Sequence, residues 1–501
     1  MHRQAAHAMN APPVVEAPGR PALSPSETDG AVLHHEQIDT SPYAGTPDLS
    51  SLTRRREGRI DTVSVADLLR NSFVYPPHSI LEDVKLVTPG FDADTDMREA
   101  PSFRFLFRER DRSRGKPGSE ADWVGAYHRL LCDAVTESCE GMRSPWLLQS
   151  GGKDSTTLAI AAAEAKPETV CITYLGGREE NEVASARAIA ATLGLRHEAL
   201  VCDPGRAYDR YVAIAPRMPL LTADFALLSY VDLATEIAAG GGDGVMDGLG
   251  SDWYFGMALK SQQRLLAALS RELRFPFSMS ELPLIDRSFA LCFVLSSLEM
   301  TRVERLFPGS RFSDAEVDEL FGRDVSHLSK ARLATFRQEL ESAESPSEWR
   351  AMVASISGGA AAFAKGLYTL EAMSLRPAYP FCNGRLRDWV HHEVPRDLLV
   401  DPTTRDNKVL VRQHIATRFR DLPYVSRKGS FRFDLRGLAK ARFGQVHAFA
   451  EKASPLLPGA TRWLERNRRR LDNKYHASKF YLLAVVLPWI TARGDDARQL
   501  P

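Results

Sequence analysis

From about residue 121 the chain alternates between short unbroken apolar runs and longer segments in which apolar residues return every three or four positions. ADWVGAYHRLLCDAV, from Ala121, carries the helical period. Pro145-Trp146-Leu147-Leu148-Gln149 is a short apolar run and predicts a buried strand, and TTLAIAAAEA, from Thr156, predicts a helix. ETVCITYL, from Glu168, predicts a second strand. NEVASARAIAATLG, from Asn181, predicts a helix closed by Gly194. HEALVC, from His197, predicts a third strand, residues 224–239 a helix, and GVMDG, from Gly244, a further strand before a glycine-bearing loop. Strands and helices in this alternation predict an α/β fold, a parallel sheet with helices on both faces. After about residue 260 the strand signals fade. Residues 261–350, 358–395 and much of 436–492 predict helices, a C-terminal helical part.

The front has a different texture. Residues 1–57 are rich in Pro, Ser, Ala and Gly, end near Arg54-Arg55-Arg56, and read as a disordered arm. Residues 58–118 read as a small ordered element and a polar linker, 119–260 as the α/β core, and 261–501 as the helical part.

Composition narrows the class. The chain has 501 residues, 44% hydrophobic and 26% charged, with Lys+Arg and Asp+Glu both 64. A formal net charge of zero calls for neither nucleic acid nor an anionic membrane as partner. The cysteines Cys132, Cys139, Cys171, Cys202, Cys292 and Cys382 show no CxxC and no zinc spacing, so reduced thiols are expected. The start, MHRQAAHAMNAPPVVEAPGRPALSPSE, lacks the apolar run of a signal peptide, and Tyr481 to Ile490 is too short to span a bilayer. A cytoplasmic protein is expected.

The segment with the clearest chemistry is Gln149-Ser150-Gly151-Gly152-Lys153-Asp154-Ser155. A buried strand enters a turn with two glycines and opens directly into a helix. Glycines let the backbone approach an anion closely. Free N–H groups at the helix start then point at that anion, aided by the helix dipole. Ser150 and Ser155 add hydroxyl donors, and Asp154 offers a carboxylate to Mg²⁺. The Walker spacing GxxxxGK[ST] is absent. SGGKDS instead resembles the pyrophosphate-binding loop of the ATP pyrophosphatases, which split ATP between its α and β phosphates and adenylate their substrates.

Further segments resemble the asparagine synthetase family, in its order. Asp247-Gly248-Leu249-Gly250-Ser251-Asp252-Trp253-Tyr254-Phe255-Gly256 is similar to its SGEGADELFGG loop. Tyr379-Pro380-Phe381-Cys382-Asn383 resembles VPFLD, Asn407-Lys408-Val409-Leu410-Val411-Arg412 resembles TKYILR, and Arg427-Lys428-Gly429-Ser430-Phe431 resembles RKKxGF. Asn181-Glu182 with Ala186-Arg187 resembles DExxxAR, and Val74 to Gly90 resembles the end of the family's N-terminal glutaminase domain. The resemblance implies an ATP-dependent enzyme that forms an acyl-adenylate and passes the acyl group to an amine. It implies ATP contacts at Gln149, Ser150, Gly151, Gly152, Lys153, Asp154, Ser155, Ile172, Thr173, Asp247 and Gly248. It implies Mg²⁺ on Asp154 and Asp252, and a catalytic Lys408 that stabilises the adenylate and the charge developing on attack.

Three departures shape the expectation. Position two is His2 and no cysteine precedes Cys132, so the family's N-terminal cysteine nucleophile is not expected and the glutaminase part reads as truncated. Leu249 stands where asparagine synthetases carry a glutamate and β-lactam synthetases a tyrosine, and leucine accepts no proton. Glu371, before the PF segment, is the candidate substitute by position. Together these favour a specialised relative acting on a small-molecule or peptide carboxylate, with lasso-peptide macrolactam cyclisation ahead of asparagine formation or β-lactam-type ring closure. A tRNA-modifying enzyme and a non-catalytic relative are the other classes. A protease or a separate glutaminase is the partner protein that this leaves open. Lys153 reaches a phosphate or faces solvent, while His197, His391 and His392 and the run Arg468-Arg469-Arg470 read as structural or solvated.

Overall fold

The computed structural model describes residues 36–38, 49–50, 52, 58–87, 90–94, 102–106, 122–176, 180–255, 288–301, 303–304, 311–404, 406–418 and 433–497. The arm before residue 36, most of the linker, residues 256–287 and the Arg427–Phe431 motif lie outside them.

Its centre is a five-stranded sheet: β1 (Pro145–Leu148), β2 (Val170–Leu175), β3 (Arg196–Val201), β4 (Gly244–Met246) and β5 (Arg376–Ala378). The order is β3-β2-β1-β4-β5 and every pairing is parallel, with Trp146 opposite both Val170 and Val245. The apolar runs are continuous because both faces are covered. On one face Trp146, Val170, Ile172 and Val245 pack with Tyr230, Leu233, Ile237 and Leu370. On the other, Leu147, Cys171 and Met246 pack with Tyr127, Leu131, Leu158, Phe381 and Leu410.

The helices around the site are α1 (Thr62–Asn71), α2 (Trp123–Ser138), α3 (Lys153–Ala165), α4 (Glu180–Thr192), α5 (Leu227–Ala239), α6 (Pro346–Ser357), α7 (Ala364–Ala372), α8 (Val409–Arg418), α9 (Leu435–Lys452) and α10 (Lys474–Ala497). The expected parallel sheet with helices on both faces is therefore what forms, and a large helical part adjoins it. One expectation fails inside that part. Residues 358–395, read as helical, contain β5, which completes the sheet. Arg376-Pro377-Ala378 carries no apolar run, and Pro377 is tolerated because β5 is an edge strand.

The front element is built into this body. Val65, Leu68 and Leu69 of α1 are buried in the same cluster as Leu438, Tyr481 and Leu487 of α9 and α10. Arg332 pairs with Asp61 at 2.5 Å, and the buried Arg70 pairs with Glu304 and, at 2.8 Å, with Asp314. Among the described residues no helix is long and apolar enough to cross a membrane.

Candidate functional site

The strand order reverses direction at β1: the chain goes outward to β2 and β3, then returns to β4 on the other side. Loops leaving the carboxyl ends of β1 and β4 therefore diverge and leave a crevice, which is where ligands enter such sheets. SGGKDS leaves β1 and Asp247 to Asp252 leaves β4. They meet: a β-carbon on Gly248 would lie 3.9 Å from both Asp154 Cβ and the Ser155 nitrogen.

The β1 loop needs its glycine. Gly151 has φ +65°, and a β-carbon there would come within 2.8 Å of the Glu182 carbonyl oxygen on α4. The Asn181–Arg187 motif thus lies on the helix that closes over the loop. Ser155 Oγ accepts the Ser150 N–H at 3.1 Å and lies 3.3 Å from Ser150 Oγ, tying the two ends together. Asp154 sits in the first turn of α3, where the dipole favours negative charge.

The β4 loop is shaped by a second close approach. Gly250 has φ +103°, and a β-carbon there would lie 2.7 Å from Cys382 Sγ. The Tyr379–Asn383 segment is therefore packed directly on this loop, with Phe381 fully buried against Phe255 at 6.1 Å between rings.

Lys408 joins the loops. Its Nζ donates to Asp154 Oδ1 at 2.7 Å and to Ser251 Oγ at 2.8 Å, and lies 2.6 Å from Asp252 Oδ1. The ammonium is 1% exposed, while Asp154 and Asp252 are 23% and 58% exposed. Burial works to lower its pKa, but the two carboxylates outweigh it and hold the group above its usual range. Its backbone is strained: φ is +58°, rare for a side chain with a β-carbon. The conformation is fixed by the Lys408 N–H donating to the Leu399 carbonyl at 2.6 Å and by the Val400–Asn407 bridge.

Other cations surround this cluster. Lys153 is half-buried, and burial first, then Lys408 and Arg412, lower its pKa against the pull of Asp154. It thus belongs to the charged cluster. Arg350 on α6 feels the charge of Asp252, burial pulls it below its usual range, and its Nε has no hydrogen-bond partner among the described residues.

The remaining expected residues divide. Gln149 is 2% exposed and neither amide atom of its side chain has a hydrogen-bond partner among the described residues, so a buried polar group sits at the strand end. Ile172 and Thr173 are engaged within the sheet end. The Ile172 side chain is in the core and its carbonyl accepts the Gln149 N–H at 2.9 Å. Thr173 Oγ1 donates to the Gln149 carbonyl at 2.6 Å and lies 2.9 Å from His197 Nε2. Both hold the end of β1 in place. Glu371 is not brought to the loops. It lies on the last turn of α7, which feeds the amino end of β5, the sheet edge opposite SGGKDS.

Asp247 turns toward a group that sequence reasoning missed. Tyr230 on α5 and Tyr379 after β5 are 4% and 8% exposed, and a β-carbon on Gly366 would meet both hydroxyls, at 3.0 and 2.4 Å. Burial, then the other tyrosine or Asp247, push both hydroxyls well above the usual tyrosine range. They remain protonated donors beside Asp247. Ser251 and Arg350 were likewise missed. Ser251 stood next to Asp252 in a quoted motif, but Arg350 has no signal short of the fold.

Residues 126–432 match the family model described as asparagine synthase. No curated protein matches the chain. Among solved structures, the structure of NMN synthetase from Francisella tularensis is similar at 16% sequence identity and a TM-score of 0.20, over 43% of this chain and 93% of that chain.

Proposed function

The chain belongs to the asparagine synthase family, and on that premise we propose that it uses ATP to activate a carboxylate as an acyl-adenylate and then joins the acyl group to an amine. The observation that carries the reading is the triad at the crevice, Lys408 Nζ between Asp154 and Asp252. A fixed buried ammonium between two loops at a topological switch point suits a reaction in which negative charge builds twice at one place.

In the first step a carboxylate oxygen attacks the α-phosphorus, the bond to the bridging oxygen breaks, and pyrophosphate leaves. The N–H groups at the start of α3 and the hydroxyls of Ser150 and Ser155 receive the departing phosphates. Arg350, with its unpartnered Nε, adds positive charge on the Asp252 side. In the second step the amine nitrogen attacks the acyl carbon, the carbon–oxygen bond to AMP breaks, AMP leaves, and the amine's proton passes to solvent. Lys408 faces the charge in both steps.

The donor set fits Mg²⁺. Asp154 and Asp252 bring hard carboxylate groups to the same part of the crevice, on either side of Lys408 Nζ, and both are partly open to solvent. When bound, the ion would neutralise phosphate charge there.

The finer reading is that the amine belongs to the substrate itself, as in lasso-peptide macrolactam cyclases. Its support is Leu249, which packs against the apolar core and gives that position no acid–base chemistry for activating ammonia. The substrate carboxylate is recognised in this reading by the Tyr230 and Tyr379 donors beside the crevice.

The test is pyrophosphate release by the full chain with ATP, Mg²⁺ and a panel of carboxylates, including peptides with a free amino terminus. Pyrophosphate release that depends on the carboxylate supports adenylation, and a product lighter than the peptide by one water supports the internal amine. ATP cleavage to ADP and phosphate would refute adenylation.

A further inference from the structure

Away from the crevice, His128 and Cys132 lie one turn apart on α2, and Glu164 lies on the last turn of α3. His128 Nε2 is 3.0 Å from Glu164 Oε2 and 3.5 Å from Cys132 Sγ, and the three ligand atoms all lie within 4.8 Å of one another. The other ring nitrogen, Nδ1, is 2.9 Å from His414 Nε2 on α8, whose own Nδ1 is 2.7 Å from Thr157 Oγ1 on α3. His128 and His414 are buried, whereas Glu164 is 60% exposed.

We propose that His128, Cys132 and Glu164 form a site for a zinc-class divalent cation, with a fourth position open to water, that fastens α2 to α3 behind the crevice.

Geometry supports the donor set. Tetrahedral zinc, with bonds of about 2.0 Å to nitrogen and about 2.3 Å to sulfur, separates the two donor atoms by about 3.5 Å. The His128–Cys132 separation matches that, the Glu164 oxygen is 3.0 Å from His128 Nε2, and rotation of the exposed Glu164 side chain would close the sulfur–oxygen separation, now within 4.8 Å. A metal-ligating histidine characteristically donates its second N–H to an acceptor, which fixes tautomer and ring orientation. His414, itself anchored on Thr157, is positioned for that role. In this tautomer the Nε2 lone pair faces the Glu164 carboxylate, a contact that a bound cation or a proton on Nε2 relieves, while without metal the Cys132 thiol donates to the Ala161 carbonyl at 3.9 Å. The opposite tautomer, with Nε2–H donated to Glu164, is the metal-free alternative.

The consequence reaches the crevice. α3 begins at Asp154's turn and α8 begins one residue after Lys408. A cation here stiffens the helices that carry both partners of the central ion pair, without touching substrate.

The experiment uses the full chain freed of metal by chelation. Zinc titration by calorimetry should show one site and release about one proton as the thiol ionises, and Co²⁺ should produce a sulfur-to-metal absorption band in the near ultraviolet. Loss of an outer-shell partner costs about 10–100-fold in affinity, so Cys132→Ser should cost about 100-fold or more. Glu164→Gln, at an exposed position that leaves folding intact, should weaken binding at least about tenfold. Zinc should also raise the melting temperature of the parent and not of Cys132→Ser. Failure of the parent to bind zinc overturns the proposal, as does equal binding by both variants, which would place the metal elsewhere.

Discussion

Lys408 Nζ lies 2.7 Å from Asp154 Oδ1 across a sequence separation of 254 residues, so the turn that opens α8 is pinned to the first loop of the sheet. The same ammonium contacts Asp252 at 2.6 Å. Asp154→Asn and Asp252→Asn remove one negative charge each from a partly solvated position. Folding should survive, because neither side chain is core. Pyrophosphate release should fall about 100-fold or more in each, the scale of losing a preorganised electrostatic group. Full activity in both variants would remove the carboxylates from the site.

Tyr379→Phe should separate binding from chemistry. Its hydroxyl is buried, interacts with that of Tyr230 and feels the charge of Asp247. If it donates to the substrate carboxylate, its loss should raise KM for the carboxylate by roughly tenfold or more, the cost of a hydrogen bond to a charged group. The turnover number should change little. The two tyrosine hydroxyls interact with each other, so removing one leaves the buried Tyr230 hydroxyl without that partner and should lower the melting temperature modestly. An unchanged KM with a collapsed turnover number would assign the hydroxyl to the chemical step instead.

Much of this was legible in the sequence, for physical reasons. β1, its loop and α3 are adjacent in the chain, and their signals are local: an apolar run, two glycines and a helix start. The Lys408 pairing depends on contacts across the whole domain, and only a resemblance pointed to it. β5 was hidden because three residues with a central proline carry no period. Tyr379 stands in the segment that resembles VPFLD and Tyr230 carries no signal of its own, since nothing local reveals that two hydroxyls converge. Ile172 and Thr173 brace the strand end beside the loop, a contact that a strand's alternation does not reveal.

Acid should destabilise the fold through its buried histidines. His476 is 2% exposed, neither ring nitrogen has a hydrogen-bond partner among the described residues, and burial, then Lys479, pull its pKa from 6.5 to about 4. A folded pKa below the unfolded one means the unfolded chain binds the extra proton. The stability contribution is therefore full above pH 6.5 and is lost as pH falls toward 4, a loss on the order of 3 kcal/mol at most. His78 and His197 are depressed in the same direction, to about 3 and about 4, chiefly by burial. Urea midpoints should fall from pH 7.5 to pH 5, and His476→Phe should flatten that fall. A pH-independent midpoint for the parent in this window contradicts the assignment.

The last prediction uses the strain at Lys408. Its φ of +58° is one that residues with a β-carbon adopt at a cost of roughly 1–2 kcal/mol. The surrounding contacts impose it: the Lys408 N–H is held by the Leu399 carbonyl and its carbonyl accepts the Arg412 N–H at 3.0 Å. This backbone turns the side chain inward, so that a lysine on a flexible stem reaches both carboxylates while remaining buried. Lys408→Ala and Lys408→Gly each delete the ammonium and should each lower turnover about 100-fold or more. They differ only in the backbone. Glycine carries no penalty at positive φ, so Lys408→Gly should be more stable than Lys408→Ala by roughly 1 kcal/mol, partly offset by the entropy of the glycine in the unfolded chain. Chemical denaturation of both variants, alongside single-turnover product formation, measures the two effects separately. Equal loss of turnover with the glycine variant the more stable shows that the chain holds a strained backbone in place to aim a catalytic charge. An alanine variant as stable as the glycine variant shows instead that the segment relaxes once the ammonium is gone, and that the ion pairs themselves maintain the strain.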